Sequence, residues 1–103
     1  MEAILADARR LGAAIAAHAR TRGLVAASAA FQADAGALRL KERYDEALAA
    51  LKTNPAPDAR AREETLRREV ATHPVIRRLL RSQADFQELM NGVSDEVQRA
   101  IGV

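Results

Sequence analysis

The chain has 103 residues, 49% of them apolar but only three aromatic, and 16 basic against 14 acidic side chains leave a net charge of +2. This length predicts one domain over residues 1–103, and so small a net charge does not demand a nucleic-acid partner. The sequence contains no cysteine, which excludes disulfides, thiolate zinc sites, cysteine-ligated iron–sulfur clusters and a cysteine nucleophile.

The sequence also bears on location. No stretch approaches the roughly 20 apolar residues of a membrane span. The first ten residues include Asp7, Arg9 and Arg10, where a signal peptide needs its apolar region. The lack of cysteine favours a reducing compartment. We therefore expect a cytoplasmic protein without membrane association.

The first half of the chain predicts three helices. The first runs from about Glu2 to Arg20, and Thr21-Arg22-Gly23 is expected to end it, with Gly23 in the left-handed cap position. Its apolar stripe consists of Ile4, Ala8, Leu11 and Ile15. A short second helix covers Leu24–Ala33. Asp34 is then expected to cap a third helix that reaches about Thr53.

Proline positions organise the second half. Pro55 and Pro57 predict an extended turn, because the residue before a proline is disfavoured in the α region. A charged fourth helix should cover about Asp58–Thr72, with Glu63–Arg67 and Glu64–Arg68 pairs at i,i+4. Pro74 is at home in a first turn, so the last helix should run from there to about Ile101. The predicted class is all-α, with about five helices in an antiparallel bundle.

The last helix carries a stripe with alternating gaps of four and three, the spacing of a heptad repeat, although Gly92 could kink it. The stripe comprises Leu79, Gln83, Phe86, Met90, Val93, Val97 and Ala100. The helix would be about 42 Å long at ~1.5 Å per residue, whereas a domain of this size is about 33 Å across. Part of the stripe would therefore extend beyond its own domain. We expect a dimer or larger assembly, with the interface at Leu79, Phe86, Met90, Val93 and Val97. The alternative is a groove for a foreign helix.

Residues for catalysis are missing from the sequence. It contains no phosphate loop, dinucleotide fingerprint or nucleophile elbow. Glu69 and His73 lie four residues apart, but a metal site needs three or four ligands. We interpret Glu69 as solvated and His73 as a cap of the last helix. No enzyme activity, cofactor or bound metal is expected.

Three arginines open the last helix. Arg77, Arg78 and Arg81 lie where the helix dipole disfavours cations, and only Arg81 has an acid, Asp85, four residues ahead. They form either a solvated face or a patch for an acidic protein surface or RNA phosphates. No aromatic residue is interleaved with them, which argues against base stacking.

The order of these elements resembles the YlbF/YmcA family of small helical bacterial regulators. The resemblance is carried by the run from His73 to Met90 (HPVIRRLLRSQADFQELM), followed by Val93, Val97 and Ile101, and by Ala33-Asp34 before the third helix. It is similar to the family's Asn-Pro, aliphatic pair and Phe-x-x-Leu-Leu pattern, with His73 in place of the usual asparagine.

The resemblance implies a helical protein that forms homo- or hetero-oligomers with family members. It also implies membership of a complex that influences an endoribonuclease, messenger-RNA processing, competence, sporulation and biofilm formation. Some members contribute cysteines to an iron–sulfur cluster, a role that this cysteine-free chain cannot take. We therefore expect a non-enzymatic regulatory scaffold that binds itself and partner proteins. The alternative is a small RNA-binding module that uses the arginine patch.

Overall fold

The computed structural model describes residues 1–102 and contains α-helices but no strands in that range. The five helices are α1 (Glu2–Ala17), α2 (Ala19–Gln32), α3 (Ala35–Thr53), α4 (Pro57–Thr72) and α5 (Pro74–Ile101). The predicted all-α class and the number of helices are confirmed. α5 is continuous through Gly92, and its end at Ile101 agrees with the prediction.

The boundary between α1 and α2 differs from the prediction. The chain leaves the helical conformation at His18, whose φ of −67° and ψ of 143° are extended, and Gly23 lies inside α2. The His18 Nδ1 atom accepts a hydrogen bond of 3.0 Å from the backbone N–H of Arg20. His18 thus satisfies one of the free amides at the start of α2, as a capping side chain does. The predicted helix end at Thr21-Arg22-Gly23 is wrong because this contact places the break before it.

The cap at Asp34 is confirmed. Its backbone is extended, and its carboxylate accepts a hydrogen bond of 2.9 Å from the N–H of Ala37. A carboxylate at this position satisfies an amide that has no partner within the helix and interacts favourably with the positive end of the helix dipole. Asp34 therefore fixes the residue at which α3 begins.

Removing this cap should have a measurable cost. Asp34→Ala is expected to lower the free energy of unfolding by about 1 kcal/mol, while Asp34→Asn, which can still accept the bond, should lose much less. Urea denaturation measures both changes. Glu42→Ala, at an exposed position of α3, is the control and should stay within about 0.5 kcal/mol of the original protein. Equal stability of Asp34→Ala and the control would contradict the assigned role.

Pro74 occupies the first turn of α5, as predicted. Residues 54–56 connect α3 to α4, and Pro57, which was expected in this turn, is instead the first residue of α4. In α4, Glu63 and Arg67 form the predicted pair, with oxygen and nitrogen 3.7 Å apart. The predicted Glu64–Arg68 pair is not formed. Glu64 instead lies 3.8 Å from Arg67, whose guanidinium reaches acids both three and four residues earlier.

Contacts group the described chain into two compact units. Residues 27–80 form what we call the central unit, and residues 1–26 together with 81–102 form the terminal unit. The prediction of one domain over residues 1–103 stays a prediction.

The central unit has a small hydrophobic core. Phe31, Ala37 and Ile76 are buried together, and Leu66 on α4 is only 2% exposed. Half-buried apolar side chains pack around the first three: Leu38, Leu40, Val70, Val75 and Leu79. α3 and α4 pack closely against each other. A buried Phe, Leu or Ile side chain stabilises the fold by about 1.5–3 kcal/mol. Because the buried hydrophobic residues all lie within residues 27–80, the central unit contributes most of the stability that burial gives to a single chain.

A polar contact links α3 to α4 at the edge of this core. The hydroxyl of half-buried Tyr44 donates a hydrogen bond of 3.2 Å to the Glu63 carboxylate. Burial raises the pKa of Tyr44, and the hydrogen bond to Glu63 and its negative charge raise it further. The hydroxyl therefore keeps its proton and continues to donate at neutral pH.

Candidate partner-binding surface

The terminal unit lacks a core of its own. Within residues 1–26 and 81–102 no residue is buried. Large apolar side chains are instead exposed there; Ile4 is 69%, Val25 65% and Ile101 70% accessible to solvent. Single exposed apolar residues are ordinary, but a whole unit without a buried side chain has little to hold it together. This unit is therefore the part of the chain that gains most from a partner.

An open groove of about 470 Å³ crosses the terminal unit, and its lining is mainly apolar. α1 contributes Leu11, α2 contributes Arg20, and the other lining residues lie on α5: Glu88, Leu89, Gly92, Val93, Glu96 and Val97. Mainly apolar concave surfaces with a few polar groups are typical of binding sites. The groove has the size and chemistry to receive aliphatic side chains.

The α5 wall of this groove consists of two rows of residues four apart. One row is Leu89, Val93 and Val97, and the other is Glu88, Gly92 and Glu96. Residues at this spacing form a ridge along a helix. A Cβ atom built at Gly92 would meet nothing within 4 Å, so the second row has a gap between its two carboxylates. Another helix can approach α5 closely at this gap.

Charges are unevenly distributed in the terminal unit. Residues 1–26 carry four arginines and two acids, whereas residues 81–102 carry two arginines and four acids. Arg20 partly offsets this in the groove, because its guanidinium lies 3.6 Å from Glu88 and donates to the carbonyl oxygen of Asp85 at 3.4 Å. Glu96 pairs with Arg99. The α5 side nevertheless remains net acidic and the α1 side net basic.

The structure divides the residues predicted for the interface. Val93 and Val97 line the groove, and Val97 is 45% exposed. Phe86 and Met90 are half-buried in the terminal unit but do not line the groove. Leu79 packs against the core of the central unit. The sequence did not indicate Leu89, Glu88 and Glu96, because they lie beside the heptad stripe of α5. Leu11 and Arg20 were not predicted to line the groove because they are far from α5 in sequence.

The arginine patch is solvent-exposed. Arg77, Arg78 and Arg81 all lie on α5 with exposed side chains. Among residues 1–102 none of the three forms an ion pair, and Arg81 does not pair with Asp85, the acid four residues ahead of it. Their charges remain available to other molecules.

The Glu69–His73 pair shows no metal-site geometry. Glu69 is exposed, and no three His, Asp or Glu side chains in the described part of the chain converge on one point. His73 opens α5 through its backbone, whose carbonyl accepts from the N–H of Arg77 at 2.8 Å. Its Nδ1 atom is shielded from solvent and has no hydrogen-bond partner among these residues, so the expected side-chain cap is absent.

Among the described residues, every helix is too short or too polar to cross a bilayer.

The family model described as "Control of competence regulator ComK, YlbF/YmcA" matches residues 4–102. The chain belongs to the YlbF/YmcA family. The resemblance predicted from the run between His73 and Met90 is thereby confirmed, and this member comes from a family of regulators.

A solved structure has a similar fold. A chain in the crystal structure of Bacillus subtilis RicA in complex with RicF is similar to this YlbF/YmcA member, with a TM-score of 0.86 and 17% identity. The match covers 96% of this chain and 93% of that chain. At this identity the likeness concerns the fold alone. No curated protein sequence matches the chain.

Proposed function

We propose that this protein is a non-enzymatic regulatory scaffold that associates with a second copy of itself and with partner proteins through its terminal unit. The observation that carries the proposal is the absence of buried residues in residues 1–26 and 81–102, together with the apolar groove. Each large apolar side chain that becomes fully buried contributes about 1.5–3 kcal/mol. Association supplies the core that the unit does not make for itself.

The proposed partners are related helical chains and, through them, a ribonuclease complex. Membership of the YlbF/YmcA family supports a regulatory role, and the similar chain comes from a complex of RicA with RicF. By resemblance, we propose that the assembly modulates an endoribonuclease and messenger-RNA processing in the cytoplasm. The chain itself supplies no cofactor or metal in this role.

Affinity capture from the source cell, with and without nuclease, tests this function. We expect a ribonuclease and a related helical chain to be captured, and their amounts to be unchanged by nuclease. Val93→Asp, which places a charge in the groove, serves as the matched bait that should lose them. Partners that are lost after nuclease treatment would favour the RNA-binding alternative. If the original chain and the Val93→Asp variant captured the same amount of each partner, the proposal would be contradicted.

The arginine patch gives a second prediction. Reversing the charge of Arg77 and Arg78 should weaken capture of the ribonuclease complex while circular dichroism stays unchanged, because both side chains are exposed and make no ion pair among residues 1–102. Arg60→Glu with Arg62→Glu is the control, since it makes the same change of charge at exposed positions of α4.

Binding to RNA phosphates and apolar docking on a partner protein differ in how strongly the affinity depends on salt concentration. Phosphate contacts give a steep log–log dependence of affinity on salt, close to one unit per contact, whereas apolar docking on a partner protein does not. Unchanged capture by the Arg77 and Arg78 variant would assign these residues to a solvated face.

A further inference from the structure

We propose that the junction between α1 and α2 is a hinge, held in its bent form by the hydrogen bond between His18 and Arg20. When that bond is lost, α1 joins α2 in one continuous helix and Leu11 leaves the groove. The hinge is inferred from the junction itself, and its control of partner binding rests on the proposed function.

Two junctions of the chain have nearly the same backbone conformation but differ in what enforces it. His18 has φ −67° and ψ 143°, and His73, before α5, has φ −71° and ψ 122°. Pro74 follows His73 and disfavours the α region there, because its ring clashes with the preceding residue. Ala19 follows His18 and imposes no such restriction. Since the φ of His18 is already helical, a rotation of its ψ alone would make the helix continuous.

The sequence on both sides of His18 favours a continuous helix. Five of the residues 13–19 are alanine, the strongest helix former. Each of the other three junctions contains either a proline or the carboxylate cap of Asp34. At this junction the bend depends instead on the 3.0 Å bond from the N–H of Arg20 to the Nδ1 atom of His18. One exposed histidine side chain therefore opposes the helical preference of the surrounding chain.

An unsatisfied hydroxyl marks a hydrogen bond that the bend removes. The other three threonines, Thr53, Thr65 and Thr72, each donate to the carbonyl four residues earlier, at 2.9–3.0 Å. The Thr21 Oγ1 atom is shielded from solvent and has no hydrogen-bond partner among residues 1–102. Its acceptor by the same rule is the carbonyl of Ala17, the last residue of α1. A continuous helix would bring the two together, and this bond would offset the loss of the histidine cap.

α1 is the part that moves. Beyond the hinge, Arg20 is attached to α5, since its guanidinium lies 3.6 Å from Glu88 and donates to the carbonyl oxygen of Asp85 at 3.4 Å. α1 has no buried residue, and its Leu11 lines the groove while remaining 42% exposed. Straightening withdraws Leu11 from the groove and leaves Arg20 in place. α1 therefore acts as a flap that narrows the groove when bent and opens it when straight.

The distance between two spin labels tests the hinge directly. Because the chain contains no cysteine, Ala3→Cys with Ala26→Cys places one label at an exposed position of α1 and one at an exposed position of α2. A continuous helix separates these two Cα atoms by about 35 Å, at ~1.5 Å per residue, and a bend between them shortens the distance. An excess of unlabelled chain removes distances between copies.

Two neighbouring substitutions should shift the hinge in opposite directions. Ala19→Pro should fix the short distance, because proline is favoured in a first turn and keeps the preceding residue extended. His18→Ala removes the acceptor and should shift the main distance to that of a continuous helix. His18→Asn is the matched control, which can still cap and should keep the short distance. Combining His18→Ala with Ala19→Pro should restore the short distance, and circular dichroism checks that each variant is folded.

The outcomes separate the hinge from the proposed function. If folded His18→Ala keeps the short distance of Ala19→Pro, or if the combined variant keeps the long one, the hinge is wrong. This measurement needs no partner, so it stands even if the proposed scaffold function fails. Affinity capture then tests the flap: His18→Ala should capture more of the partners than Ala19→Pro. Equal capture by two variants that differ in distance would overturn the control of the groove by α1.

Discussion

Val93→Asp is expected to abolish the proposed self-association and leave a monomer of 11.2 kDa. Val93 lies in the wall of the groove between Leu89 and Val97 and is half-buried within its own chain. An aspartate there remains hydrated in the monomer but loses its water in an assembly. Burying a carboxylate without a partner is among the most unfavourable changes at an interface. We expect the dissociation constant to rise at least about 100-fold, which corresponds to about 2.7 kcal/mol.

A matched change elsewhere on α5 provides the control. Leu80 is 50% exposed and lies outside the groove, so Leu80→Asp should leave the mass unchanged. Light scattering measures both variants. An oligomer that survives Val93→Asp with native helicity would show that the groove is not the interface.

Phe31→Ala should have the largest effect on the stability of the chain itself. The Phe31 ring is buried with Ala37 and Ile76 in the central unit. Truncating a buried phenylalanine costs about 3–5 kcal/mol, and for a domain near 100 residues each kcal/mol lowers Tm by about 4–8 °C. Because these contacts lie within one chain, the loss of stability should be the same at every protein concentration.

Phe86→Ala is the informative comparison, because the same ring is removed from a position that is only half-buried. In a monomer it should cost clearly less than Phe31→Ala. If association covers the terminal unit, its cost should grow with protein concentration, since binding and folding are linked. Calorimetry at two concentrations measures both variants. If Phe86→Ala and Phe31→Ala lowered stability equally, and by the same amount at both concentrations, the terminal unit would be as well packed within one chain as the central unit.

Helix boundaries set by a specific chemical device were predictable from the sequence. Asp34 acts as a side-chain cap and Pro74 as a first-turn proline, and α3 and α5 begin where these residues predict. α4 begins at Pro57, one residue before the predicted start at Asp58. The break at His18 was missed because histidine is a weak capping signal and nearby Gly23 is a strong one. Each of these helix boundaries is therefore set by a side chain or a proline at the boundary itself.

The candidate site was predictable only in part. The heptad spacing identified Val93 and Val97, because it reports which residues of one helix share a face. It could not reveal that Leu11 and Arg20 complete the groove, since no sequence period relates residues separated by about 70 positions. Leu79 shares the heptad spacing but packs in the central unit, because a long helix can present one stripe to different neighbours along its length.

The mass of the unmodified chain in solution tests the central claim most directly. At concentrations on the order of tens of micromolar, light scattering should give at least twice 11.2 kDa, and Tm should rise with protein concentration because association stabilises the folded chain. A mass of 11.2 kDa with a Tm that does not depend on concentration would contradict the claim that the terminal unit is completed by a second copy.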